Sequence, residues 1–399
     1  MTEHRQHHPG IWALAVTAFA IGVAEFIVVG VLPAIAADLG IPLAQAGGLV
    51  GLYALALAIG TPLVVLGLAR FAGKPALLGL IAVFLVGNLL SAASHSYAML
   101  LAGRILTAIA HGSFFAIGAT VAARLAPEGQ ASRAIALMFG GLTLAMVVGV
   151  PLGSLIGNTL GWRLPFLAVA LLAALGWLAT SRWLPGLPAR KTGRVGTQLA
   201  ALVRPEILAI MSVTVLGFGA SFPAFTFITP ILTGITGFSI HAASGLLVVF
   251  GAATLAGNLA GGRWAAHWGW ARTLRWMLVG LLLSLGALAL LMPYRIPMMA
   301  LLFVWGFLAF GMSPGFQAGM LETAERWTPH AVGFASGLNI SAFNLGITLG
   351  ETIGSALVTR NDMALTPWAG VGLAVVAQLP LIWLLAKSKN AQAQRTAKA

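Results

Sequence analysis

Long apolar stretches alternate with short polar interruptions along the whole chain. A bilayer's hydrocarbon core needs about 20 predominantly apolar residues per helix. Reading glycine, proline and charge as punctuation gives twelve stretches of that kind. Six cover 11–34, 45–69, 76–94, 97–124, 132–158 and 165–183. Six more cover 207–232, 242–263, 273–292, 298–320, 332–358 and 367–386. Pro223 and Pro230 interrupt the seventh, so its limits are the loosest. The pattern predicts an all-α polytopic membrane protein. The one long polar and basic connection is "LPGLPARKTGRVGTQLAALVRPEI", Leu184 to Ile207. It implies a six-helix half at 1–183, a linker at 184–206, a second six-helix half at 207–386 and a basic tail at 387–399.

Composition strengthens this reading. Of 399 residues, 59% are hydrophobic and only 8% are charged, against roughly a quarter charged in soluble domains. There is no cysteine, which removes disulfides and thiolate metal sites. A cleavable signal peptide is not expected: the first apolar run is too long, lacks a small-residue exit and is followed by more runs. A net charge of +13 would suggest nucleic acid for a soluble protein. Here it is explained by loop charge, and no nucleic-acid partner is expected.

Lysine and arginine concentrate in loops on the cytoplasmic side of a membrane protein. With the N-terminus inside, only Arg163, Arg295 and Arg360 of the 22 Lys and Arg fall outside, and Arg104 lies within a span. Both termini are therefore expected in the cytoplasm, in an inner membrane. Trp12, Trp183 and Trp383 near one set of span ends, and Trp162 and Trp368 near the other, fit interfacial aromatic belts. The 49 glycines suit close helix packing in lipid.

The two halves echo each other. "GLARFAGKPAL" follows the second span and "RWAAHWGWART" the eighth; "GVPLGS" in the fifth matches "GETIGS" in the eleventh. Parallel six-span repeats are the major-facilitator arrangement. Four stretches carry a resemblance to that superfamily over essentially the whole chain. They are "FAIGVAEF" with "LPAIAADLG" (19–40), "GRILTAIAHGSFFAIG" (103–118), "GVPLGSLIG" (149–157) followed by "GWRLPF", and "GLARFAGKPALL" (67–78). More narrowly, the chain resembles the twelve-span drug–proton antiporters, in the subgroup of arabinose-, nucleoside- and chloramphenicol-efflux permeases. The resemblance implies two pseudo-symmetric six-helix halves, a central cavity, and export of a small molecule in exchange for protons. One departure stands out. The loop after the second span normally carries an Asp in this family, but Arg70 occupies that position and Ala266 its counterpart, so Arg70 and Lys74 are gate-loop candidates without a named partner.

The candidate chemistry lies within the spans. Glu25 sits in the apolar run "AFAIGVAEFIVVGVLP". A charged group at the bilayer centre costs at least about 2.5–3.5 kcal/mol, so its presence calls for a function or a partner. Counting about 1.5 Å per residue places Glu25 and Arg104 at similar heights, in spans that line the cavity of the resembled fold. Burial favours a neutral carboxyl and a nearby cation favours the charged form. A carboxyl balanced between the two can take and release a proton; the alternative is a static ion pair fixing two helices. Glu351 in the eleventh span can couple a second proton, meet a cationic substrate, or face a hydrated mouth. His111, about two turns from Arg104, suits a proton relay, a substrate hydrogen bond or a packed helix contact. Gln317, Asn339 and Asn344 are candidate hydrogen-bonders, and Phe115 and Phe222, with Phe114, Phe225 and Phe227, candidate cavity walls. Gly149, Pro151 and Gly153 would let the fifth span kink and pack across the interface of the halves. Asp38 reads as a cap or surface group, and His4, His7 and His8 as a solvated tail. No P-loop, metal spacing, cofactor motif or catalytic constellation appears. The expected partners are a small-molecule substrate, protons and the bilayer, and the expected unit is a monomer. The uncoupled alternatives are a facilitator or importer of the same fold, and a non-transporting membrane sensor.

A fluorescent protein fused after Ala399 is expected to fluoresce, and alkaline phosphatase at the same place to be inactive. The reverse pair of signals would invert the topology.

Overall fold

The computed structural model describes residues 8–68, 71, 73–127, 131–186 and 203–396. Arg70, the N-terminal histidines 4 and 7, and most of the linker lie outside them. The chain divides into two compact units, Met1–Thr192 with Ile240–Val248, and Gly193–Ser239 with Val249–Ala399.

The first unit holds α1 (Pro9–Leu39), α2 (Leu43–Leu68), α3 (Gly73–Ala92), α4 (Tyr97–Leu125), α5 and α6 (Arg163–Trp183). Helix α5 runs from Ala131 to Leu144, passes through a π-helical turn at Ala145–Gly149 and continues as Val150–Leu160. The most apolar window of α1 is 83% buried, because α2, α4, α5 and α6 all pack on it. Chemistry on α1 is therefore enclosed by protein rather than lipid.

Close approach, not bulk, sets these contacts. A Cβ on Gly141 of α5 would meet the backbone oxygen of Ala15, and Cβ atoms on Gly149, Gly153 and Gly157 would meet Val23, Ile27 and Val31 of α1. This small-residue stripe lets the two backbones touch, the usual device where water supplies no driving force. On α4, Gly112 faces the Thr61 side chain of α2 in the same way.

The second unit holds α7, α8 beyond its first turns (Ile240–Trp268), α9 (Trp270–Leu291), α10, α11 (Val332–Thr359) and α12 (Thr366–Thr396). Helix α7 covers Pro205–Gly219 and then breaks. Single turns follow at Phe222–Phe225 and Ile228–Pro230, then a π-turn at Ile231–Ile235. The prolines expected to interrupt this span do so, because each lacks the N–H that continues a helix. The irregular backbone is tolerated because protein buries it. Gly350 and Gly354 of α11 lie against the backbone oxygens of Gly219 and Pro223, and Ser221 Oγ accepts a 3.1 Å bond from Trp305 Nε1. Helix α10 comprises Arg295–Gly311 and Ser313–Trp327. Glycines 257 and 261 of α8 press on the α10 carbonyls of Phe307 and Gly311.

Eleven helices of the described residues are long and apolar enough to cross a membrane. The twelfth expected span, α11, is helical over 28 residues. All twelve stretches are thus helical, and the molecule is an all-α polytopic membrane protein.

Gly141→Ala is expected to cost about 1–3 kcal/mol by overpacking against α1. Gly140→Ala, with nothing within 4 Å of its added Cβ, is expected to be neutral or slightly stabilising. Thermal unfolding of the two purified variants, followed by tryptophan fluorescence, checks the contrast.

Candidate functional site

In the first unit three polar side chains of α2 and α4 form one series that is anchored on backbone carbonyls of α1. Arg104 sits about two turns inside α4 and is 1% exposed. Its Nη1 donates to the carbonyl of Ala24 and its Nη2 to that of Glu25, at 3.2 Å. A carbonyl oxygen has two lone pairs, so these bonds add to those of the α1 helix. The guanidinium lies 3.8 Å from the centroid of the Tyr53 ring on α2. The Tyr53 hydroxyl is 2.9 Å from His111 Nδ1, further along α4. The imidazole packs 5.2 Å from the Phe115 ring, which in turn meets Phe114 at 5.6 Å and Phe139 at 4.8 Å.

Arg104 reaches α1 at the level of Glu25, but not through the carboxylate. Among the described residues, the half-buried Glu25 side chain has no salt bridge or hydrogen bond. The static ion pair weighed as the alternative is not formed: carbonyl bonds take its place, with the planar guanidinium held face-on by Tyr53 and edge-on by the α1 backbone. Arg104 Nε is left buried without a partner.

Tyr53 was not singled out by the sequence pattern. A signal did exist: of three tyrosines, Tyr97 begins a helix and Tyr294 precedes one, whereas Tyr53 lies inside a span and is 2% exposed.

The second unit joins other candidates. Thr214 Oγ1 of α7 donates to Asn339 Oδ1 of α11 at 2.8 Å, Asn339 Nδ2 donates to Gln317 Oε1 of α10 at 2.8 Å, and Gln317 Nε2 donates to Ser336 Oγ at 2.7 Å. Asn339 is fully buried. Gln317 and Asn339 therefore cross-link three helices instead of standing free. Asn344 donates to the Ile340 carbonyl of its own helix at 2.9 Å, and its Oδ1 is buried without a partner. Glu351 is 4% exposed and accepts a bond from Ser355 one turn on. Phe222 is enclosed between Phe218 at 5.3 Å and Phe225 at 5.6 Å, in an aromatic cluster continuing through Phe250 and Trp305. It is a core residue here, not an open wall.

The remaining candidates take structural positions. Gly149 and Gly153 face α1 of their own unit, while Pro151 opens the helix after the π-turn. Ser154, in the same motif, donates to the Gly30 carbonyl at 3.0 Å. Lys74 donates to the Ser181 carbonyl near the end of α6 at 2.7 Å, which holds the gate-loop lysine within its unit. Asp38 pairs with Arg163 at 2.8 Å and accepts from Trp162 Nε1 at 3.1 Å. Glu206, at the end of the expected linker, lies in the first turn of α7, buried and 2.6 Å from Lys387 of α12.

Comparison with known proteins puts this geometry in context. Residues 14–326 match the family model of the Major Facilitator Superfamily. The chain is 36% identical over 381 residues to the uncharacterized MFS-type transporter YtbD of Bacillus subtilis, covering 95% of this chain and 96% of that protein. It is 36% identical over 383 residues to the inner membrane transport protein YdhP of Escherichia coli K12, covering 95% of each. It is 33% identical over 402 residues to a chloramphenicol resistance protein of Streptomyces lividans, covering 96% of this chain and 99% of that one. In fold it resembles a bacterial homolog of the human lysosomal transporter Spinster, solved inward-facing and unoccupied. That likeness has a TM-score of 0.72 at 16% identity, over 94% of this chain and 96% of that one.

Asn339→Leu strands Thr214 and Gln317 and is expected to destabilise by about 1–2 kcal/mol, the scale of interhelical hydrogen bonds in membranes. Asn344→Leu removes an atom already unpartnered and is expected to cost less than half as much. Midpoints of thermal aggregation in detergent rank the two.

Proposed function

The chain belongs to the Major Facilitator Superfamily, and on that premise we propose that it exports a small molecule of the drug, sugar or nucleoside class in exchange for protons. The observation that carries this reading is the buried Arg104 held beside Glu25 by backbone carbonyls, with the Glu25 carboxyl left unpaired. A permanent Arg104–Glu25 ion pair would have no reason to exchange a proton. A carboxyl beside a buried cation, but not bonded to it, has two accessible states. Protonated, it is neutral and compatible with its apolar span. Ionised, it can turn toward Arg104 and be stabilised there.

Alternating access turns those two states into coupling. A proton arriving from outside neutralises Glu25, and its release inside restores the charge. Substrate bound near Arg104 and His111 competes with the ionised carboxylate for the same cation, so substrate and proton alternate. Glu351 is the second protonatable group of this reading. Similarity to a chloramphenicol resistance protein of Streptomyces supports the drug class among the three substrate classes. Similarity to an inner membrane transport protein of Escherichia supports an inner-membrane location, here with both termini in the cytoplasm.

The deciding measurement is proton flux in proteoliposomes under an imposed pH gradient, with chloramphenicol, arabinose and uridine added in turn. At least one compound is expected to drive proton movement in the wild type. Glu25→Gln is expected to reduce that movement at least tenfold while keeping downhill movement of the compound. Equal downhill movement in both proteins without proton flux would make the chain a facilitator.

A further inference from the structure

We propose that Tyr53 is a positioning residue that holds Arg104 and His111 as one unit: its ring carries the guanidinium and its hydroxyl fixes the imidazole tautomer. The consequence for transport rests on the reading above; the positioning itself does not.

Arg104 and His111 are seven residues apart on α4, which is about 10 Å along the helix axis. They point to the same side, because seven residues are nearly two whole turns, but neither reaches the other. Tyr53 spans that gap from α2. Its ring centroid is 3.8 Å from the Arg104 guanidinium and its hydroxyl is 2.9 Å from His111 Nδ1. No substitute is at hand: the other two tyrosines lie at the ends of spans.

Each half of the contact does separate work. A guanidinium 99% buried needs its charge compensated on its faces as well as its edges. The Ala24 and Glu25 carbonyls take the edge, and the Tyr53 ring takes one face. Without the ring, that face of the buried guanidinium is left uncompensated. At the other end, the cation over the ring withdraws electron density from the phenol. The hydroxyl becomes the better donor and the poorer acceptor, so it donates to Nδ1. His111 is then fixed as the tautomer bearing its proton on Nε2, which offers a donor, not an acceptor, to whatever approaches that nitrogen. A substrate meeting His111 would present a carbonyl, hydroxyl or ether oxygen.

The two roles separate by substitution. Tyr53→Phe keeps the ring and removes the hydroxyl; Tyr53→Leu removes both. The test uses the full-length protein in detergent without substrate, labelled with 15N-histidine and 15N-arginine and assigned through His111→Gln and Arg104→Lys. In the wild type, His111 is expected to show one fixed neutral tautomer and Arg104 resolved, slowly rotating Nη signals. Tyr53→Phe is expected to average the His111 tautomers and leave the Arg104 signals resolved. Tyr53→Leu is expected to lose both signatures. An unchanged His111 tautomer in Tyr53→Phe, or unchanged Arg104 signals in Tyr53→Leu, would overturn the proposal. Glu25→Gln keeps both signatures, so a failure of proton coupling at Glu25 is told apart from a failure here. In the flux assay, Tyr53→Phe is expected to raise the half-saturating concentration of the compound that moves protons at least threefold, with the maximal rate within twofold. Unaltered half-saturation would remove His111 from recognition and overturn that limb.

Discussion

A guanidinium that has lost its water must be surrounded by something that replaces it. Arg104 is the largest such demand in the first unit, and the surroundings of α1 follow from meeting it. Two α1 carbonyls lend their second lone pairs, and an aromatic face from α2 closes one side. This works only if three helices meet at close range. Small residues bring them there: Gly112 lets α4 sit on Thr61 of α2, and the glycines of α5 hold α1 from its opposite flank. Packing and electrostatics are therefore the same constraint seen from two sides. Widening the helix contacts would unclothe the charge, and deleting the charge would leave polar backbone and a phenol facing an apolar gap.

The second unit meets a milder version of the same demand with neutral groups. Thr214, Asn339, Gln317 and Ser336 exchange hydrogen bonds in series, so three helices are pinned without a net charge.

Much of this was legible in the sequence, and the reasons for the rest are specific. Twelve helices could be read from where glycine, proline and charge fall, since each apolar run must be long enough to span a bilayer. Glu25, Arg104 and Glu351 announced themselves because ionisable groups in such runs are costly. Their partners did not. Which atoms of Glu25 meet Arg104 depends on side-chain direction, and the answer, backbone instead of carboxylate, leaves no mark in residue spacing. Tyr53 escaped notice because a tyrosine in an apolar run looks like an ordinary packing residue until its ring is placed over a cation. Asn339 and Asn344 looked alike on one helix, yet the first bonds to α7 and α10 and the second to its own helix. The break in α7 was visible in Pro223 and Pro230, but not that glycines of α11 would cover it.

The π-turn in α5 has a consequence for how the helix keeps phase. A stripe of every fourth residue on an α-helix drifts around the axis by about 40° at each step, since a turn holds only 3.6 residues. From Gly141 through Ala145, Gly149 and Gly153 to Gly157, the accumulated drift would be about 160°, and the far end of the stripe would face away from α1. The turn at Ala145–Gly149 admits one extra residue, worth about 100° of rotation, and gives back most of that drift. Helix α5 thus behaves like a calendar with a leap day: a single intercalated residue keeps its glycines in season with α1 along nearly its whole length.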